Sequence, residues 1–247
     1  MKIDPNAQQL FLFAQNYHKR GNLTLAIASY KEVLQMAPDH VDTLHMLGLA
    51  YCGMHKHEQG IPFLEKASAI QKYNPIILAN TGFAHYTNKN AAKAIEYYLL
   101  AQKYAPNSED IWFKLALAYK ELNDINKCIA SYEKAISIQP NHVQSLYNLG
   151  NIMLATGRYA TAITYFENCL KIQPTHALCH NNLGVALQEW DRYEESENHF
   201  KEAIKHDPKL NDARKNLAQL YERQGKTQEA SQLIHSLTLM NPDHLGY

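Results

Sequence analysis

The chain has 247 residues, with 24 basic and 24 acidic side chains and a formal net charge of zero. That balance leaves no electrostatic footprint for nucleic acid and no polybasic membrane anchor. No stretch approaches the ~20 apolar residues of a membrane span, and MKIDPNAQQLFLFAQNYHKR is too polar for a secretory core. A cytoplasmic protein is expected.

After an N-terminal tail (residues 1–6), one pattern recurs seven times without insertion, at a period of 34 residues. The first unit, 7–40, places Ala14 on a first apolar stripe and Gly21 at a turn. Ala26 and Tyr30 follow on a second stripe, and Pro38 marks a stop. The second, 41–74, has Gly48, Gly60 and Leu64 in the same register, with Lys72 where the closing proline is expected. Pro75 is expected to take over that stop. The third, 75–108, carries Gly82, Ala94 and Tyr98, with Thr81 and His85 on its packing stripe; residues 70–85 are therefore expected to form the softest junction or a place where the array bends differently.

The fourth unit, 109–142, shows the logic most clearly. Trp112, Leu115, Ala116 and Tyr119 lie 3, 1 and 3 apart, and Cys128, Tyr132 and Ala135 lie 4 and 3 apart. Each set is one stripe of a helix. Asn123 and Asp124 separate them as a tight turn and an N-cap, and Pro140 ends the second helix. Units 143–176, 177–210 and 211–244 repeat the scheme with Gly150, Ala162 and Phe166, then Gly184, Ser196 and Phe200, then Ala218, Ala230 and Ile234. Pro106, Pro174, Pro208 and Pro242 are further stops, and residues 245–247 form a short tail. A period of this length predicts an all-α solenoid of helix-turn-helix units. Small residues let the two helices of a hairpin approach, and the large residue four further on fills the gap between adjacent hairpins.

The motifs WFKLALAY, and NLGNIML followed by AITYF and a closing proline, resemble the tetratricopeptide repeat family over nearly the whole chain. The resemblance implies a right-handed superhelix whose first helices line a concave groove. It also implies that residues two, five, six, nine, twelve and thirteen of each unit face that groove. By this register the N-terminal half presents Phe11, Leu12, His18, His45, Met46, Leu49, Cys52, Ala79, Phe83, Tyr86, Phe113 and Leu117. So dense an apolar set predicts a site for apolar side chains or a partner helix, against packing along a tight groove or filling by the chain's own N-terminus. The C-terminal half presents Asn148, Asn151, Asn181, Asn182, Asn216, Gln188 and Gln219, with Asn80 as an outlier.

Asn148, Asn182 and Asn216 share one register position and form a ladder. It is similar to the ladder of O-linked N-acetylglucosamine transferase-like proteins, which implies a clamp on a peptide backbone; the alternative is that the amides satisfy one another. A carboxylate clamp for chaperone tails is not expected. Asn151 and Asn182 match its asparagines, but Tyr147, Asp212 and Asn216 stand where cations would be needed.

No catalytic residue, metal or cofactor is expected. Among 13 histidines, His40, His142, His176 and His244 recur at the last position of a unit and read as turn residues. Cys52, His55 and His57 lack a fourth metal ligand, and His45 with Cys52 lacks an oxyanion hole and an orienting group. Cys128 and Cys169 read as small buried hydrophobes rather than disulfide partners. The last helix carries Leu233, Ile234, Leu237, Leu239 and Met240, some of which are expected to remain uncovered. The expected function is a non-enzymatic scaffold or adaptor binding a peptide or partner helix in the groove. The alternatives are a substrate-recruiting arm of a bacterial glycosyltransferase or sulfotransferase, and a self-assembling scaffold. A homo-oligomer would form through the C-terminal end or the N-terminal segment; nucleic acid and membrane insertion are not expected.

Overall fold

The computed structural model describes residues 4–240, and the side chains of all of these except Ser236 and residues 238–240. The sequence expectations for Leu239, Met240, Pro242 and His244 lie outside the described side chains. Among the described residues there are fourteen helices and no strand. They fall into two compact units divided at Ile138 and Gln139. Unit 1 contains four hairpins: α1 (Pro5–Lys19) with α2 (Leu23–Met36), α3 (Val41–Gly53) with α4 (His57–Ile70), α5 (Pro75–Thr87) with α6 (Ala91–Tyr104), and α7 (Glu109–Glu121) with α8 (Ile125–Ile138). Unit 2 contains three: α9 (Val143–Ala155) with α10 (Tyr159–Ile172), α11 (Ala177–Gln188) with α12 (Tyr193–His206), and α13 (Asn211–Arg223) with α14 (Thr227–Met240).

Local chemistry sets these boundaries. Each hairpin turns on a residue with positive φ. Gly21, Gly157 and Gly225 take it at 76°, 72° and 74°, and His55, Lys89, Asn123 and Asp191 take the same register position at 56–61°. The next residue often caps the second helix: Asn22, Asn90 and Asp124 accept from Leu25, Lys93 and Lys127 N–H. His142 and His176, expected only as turn residues, cap α9 and α11 through Nδ1, accepting from Ser145 and Cys179 N–H at 3.2 and 3.1 Å. One expectation needs correction. Pro75 does not end α4, which stops at Ile70 in register with Met36 and Tyr104; Pro75 instead opens α5 behind the Asn74 cap. Packing register, not a proline, sets that stop.

Large residues of the second helices form the cores. Tyr30, Leu64, Tyr98, Tyr132, Phe166 and Phe200 are fully buried. They were expected between adjacent hairpins, but they also lie directly on the small residue of their own first helix. A Cβ on Gly150 would meet the Phe166 ring at 2.6 Å, and one on Gly184 the Phe200 ring at 2.7 Å. The α3–α4 crossing is tighter still. A Cβ on Gly60 would sit 2.6 Å from the Gly48 carbonyl oxygen, which explains glycine at Gly60 where most other hairpins carry alanine or serine. Thr81 and His85 are buried but satisfied: Thr81 Oγ1 donates to Ile77 O at 2.8 Å, and His85 Nε2 meets Glu65 Oε1 at 3.1 Å.

Within each unit a first helix packs on its own partner, on the preceding second helix and on the neighbouring first helices: α1, α3, α5 and α7 in unit 1, and α9, α11 and α13 in unit 2. First helices therefore run side by side and present one continuous face per unit. Among the described residues no helix is long and apolar enough to cross a membrane.

Candidate functional site

The first-helix face of unit 1 is apolar and only partly covered. Leu12 is 55% exposed and Phe83 44%, while Met46, Leu49, Tyr86, Phe113 and Leu117 are half-buried. His45 from α3 and Asn80 from α5 meet across this face, with Nδ2 of Asn80 donating to Nε2 of His45 at 2.8 Å. That bond needs His45 neutral. Burial lowers its pKa below the usual 6.5, opposed by the charge of Asp42.

Phe11 departs from the expected groove position. It is 6% exposed and packs in the core with Ala7, Ala14 and Tyr30. Its ring lies 6.0 Å from Tyr30 and edge-on to His40 at 5.2 Å. The fifth residue of a hairpin leans onto the large residue of its own second helix, as Phe113 does onto Tyr132 at 5.9 Å and Tyr147 onto Phe166 at 6.2 Å. It marks the rim of the core rather than the floor of a groove. Ala79 is buried for the same reason. Cys52 is half-buried and burial pushes its thiol up, so it is held protonated rather than primed as a nucleophile. His57 meets Thr87 Oγ1 at 3.1 Å, and among the described residues no three His, Cys, Asp or Glu side chains converge to hold a metal.

The face of unit 2 carries a chain of amides. Asn216 Nδ2 donates to Asn181 Oδ1 at 2.9 Å, and Asn181 Nδ2 to Asn182 Oδ1 at 2.9 Å. Asn182 Nδ2 then donates to Asn151 Oδ1 at 2.7 Å and to Tyr147 OH at 3.2 Å. Three helices, α13, α11 and α9, are thus tied through side chains. The expected ladder of Asn148, Asn182 and Asn216 is a different object: Asn216 and Asn182 are joined only through Asn181, Asn182 passes on to Asn151, and Asn148 takes no part. Tyr147 anchors the end and stacks on His176 at 5.0 Å. Gln188 was expected in the groove but is 7% exposed, with no partner on its Oε1. Around the network Asn151, Asn181, Asn182, Asp212, Asn216 and Gln219 line a shallow depression.

Family models described as Tetratricopeptide repeat match residues 7–40 and 109–142, residues 142–209 and residues 189–246. Together they span more than half of the sequence. The chain belongs to the tetratricopeptide repeat (TPR) family. Proteins of this family are generally protein-interaction scaffolds. Among curated TPR relatives, the BBSome complex member BBS4 of Mus musculus is 25% identical over 146 residues, 56% of this chain and 28% of the relative. The chain spans less than a third of the length of the curated relatives it matches. A solved TPR protein from Cytophaga hutchinsonii superposes with a TM-score of 0.81 at 15% identity, over 95% of this chain and 96% of that one. MamA superposes with a TM-score of 0.64 at 25% identity, over 72% and 99%.

Proposed function

We propose that this TPR array binds an extended peptide or a partner helix along its first-helix faces. The observation that carries the reading is the exposure of Leu12 and Phe83 beside half-buried Met46, Leu49 and Tyr86 on three neighbouring first helices of unit 1. Such side chains gain by covering, and aromatic anchors supply most of the affinity at interfaces of this kind. In unit 2 the amide chain offers donors and acceptors in fixed positions, suited to a peptide backbone. Asn148 lies outside that chain, and its amide is available to a ligand.

Photo-crosslinking tests this directly. A benzoylphenylalanine in place of Phe83 or Asn148 should link to a partner polypeptide, while the same probe at Lys134, exposed on a second helix, should not. Phe83→Glu should weaken capture at unchanged helicity. Equal crosslinking from all three sites would refute a first-helix site. Crosslinks only to a second copy of the chain would mean self-assembly instead.

A further inference from the structure

We propose that His180 on α11 and His199 on α12 form a two-imidazole site for a divalent transition-metal ion such as zinc, which on binding ties the two helices of this hairpin together. The repeat register sets the place apart. His180, His199 and His206 occupy three positions at which no other hairpin carries histidine. Leu78 and Leu146 stand in register with His180, Phe63 and Tyr165 with His199, and Ile138 and Ile172 with His206. Three packing positions are thus given to imidazoles at one hairpin, and the structure brings the rings together. Those of His180 and His199 lie 5.2 Å apart and are inclined by 30°, with their Nδ1 atoms 2.9 Å from each other. His206 stacks on His180 at 5.7 Å.

An ion such as zinc sits about 2.0–2.1 Å from each imidazole nitrogen, so two of its ligands stand about 2.9–3.4 Å apart. The two Nδ1 atoms already lie at the near end of that span. His180 is also oriented as a ligand. Its Nε2 donates to Pro174 O at 3.0 Å, the bond that Trp112 Nε1 makes to Pro106 O at the same register position. That bond fixes the proton on Nε2 and leaves the Nδ1 lone pair facing His199; ligating histidines are commonly held by a carbonyl in this way. His199 supplies the proton now shared between the rings. To bind, it passes from the Nδ1–H to the Nε2–H tautomer, with no change in net protonation. It is half-buried, so an ion and its water reach it from solvent. Glu195 and Glu202 lie one turn to either side of His199 on the same face of α12 and add negative charge, partly offset by Arg192 and Lys205. Glu202 also meets His206 Nε2 at 3.3 Å. Among the described residues no third His, Cys, Asp or Glu converges on the pair, so water completes the coordination sphere.

The test uses the full chain, stripped of metal with a chelator and titrated with zinc chloride in a calorimeter at neutral pH. Binding of one zinc per chain is expected, and the melting temperature should rise by an amount that grows with zinc concentration. Magnesium, which prefers oxygen ligands, should do neither. His199→Gln, at unchanged helicity, should weaken zinc binding by about tenfold or more, since even a residue that only supports a ligand commonly costs that much. Replacing the neighbouring histidine pair of unit 1, His55→Gln with His57→Gln, should leave it intact. A measurement on the unaltered chain stands beside the variants: in nitrogen NMR spectra of the histidine rings, zinc should convert His180 and His199 to the form ligated at Nδ1 and protonated at Nε2. Equal zinc binding by His199→Gln, ring signals of His180 and His199 that do not respond, or no binding at all would each overturn the proposal.

Discussion

At the scale of the residue, the hairpin turn offers a clean experiment. Seven hairpins need one residue in the left-handed region, and only three supply glycine. Lys89 holds φ at 61°. Lys89→Gly should raise the unfolding free energy by up to about 1 kcal/mol, since the left-handed penalty for an L-residue exceeds the added entropy of glycine. Urea denaturation reads this directly. Gly60→Ala should do the reverse of what alanine does in most helices. The added methyl meets the backbone oxygen of Gly48, which cannot rotate away, so a loss of about 1–3 kcal/mol is expected. These two positions also show what a sequence discloses. The turn and its period can be read without a structure, because φ, caps and prolines act over a few residues. The glycine at Gly60 can be seen but not explained, because its reason is an atom on another helix.

Elements add electrostatics that no local pattern reveals. His180 on α11 and His199 on α12 meet Nδ1 to Nδ1 at 2.9 Å. His180 donates from Nε2 to Pro174 O at 3.0 Å, so its Nδ1 accepts the single proton between the rings. A further proton on His180 Nδ1 would set two N–H groups against each other. Burial, then His180, pushes His199 down to about 4; burial also lowers His180, and His206 stacks on it. Glu195 and Glu202 oppose these shifts for His199. The unfolded chain therefore takes up protons before the folded one, and stability should fall as pH drops from about 6.5 toward 4. His199→Gln should flatten that slope in thermal melts.

Glu197 governs a lower window. Burial raises its pKa, but hydrogen bonds from Lys201, Lys226 and Tyr221 outweigh that and hold it at about 2. Its contribution is complete above the ordinary 4.5 and is lost as pH falls toward 2. Glu197→Gln should remove that second acid step. Neither cluster could be read from spacing: His180 and His199 are 19 residues apart, and Glu197 and Lys226 are 29 apart. The amide chain was half visible for a related reason. The Asn148, Asn182 and Asn216 period stood out, but the links run through Asn181, Asn151 and Tyr147, out of register with it. Phe11 was misplaced because a helical wheel does not say how far a ring leans toward its own partner helix.

At the scale of the molecule, the repeat design keeps damage local. Phe200 is fully buried in a cluster with Leu217, Leu220, Tyr221 and Ala230. Phe200→Ala should cost about 3–5 kcal/mol, felt first by the hairpins that touch it. Hydrogen exchange should accelerate across α11 to α14 and leave α1 to α6 as protected as before. Uniform acceleration along the chain would show that it unfolds as one body.

The amide chain of unit 2 also has a sense. From Asn216 to Asn151 every link is given in the same sense, the Nδ2 of one amide to the Oδ1 of the next. An amide can turn end over end, but one that does so alone faces oxygen to oxygen on one side and hydrogen to hydrogen on the other. The row can therefore reverse only as a whole, like a file of dominoes, with Tyr147 as the hydroxyl able to give as well as receive. A molecule that demanded the opposite polarity at Asn216 would be felt at Tyr147, two first helices away.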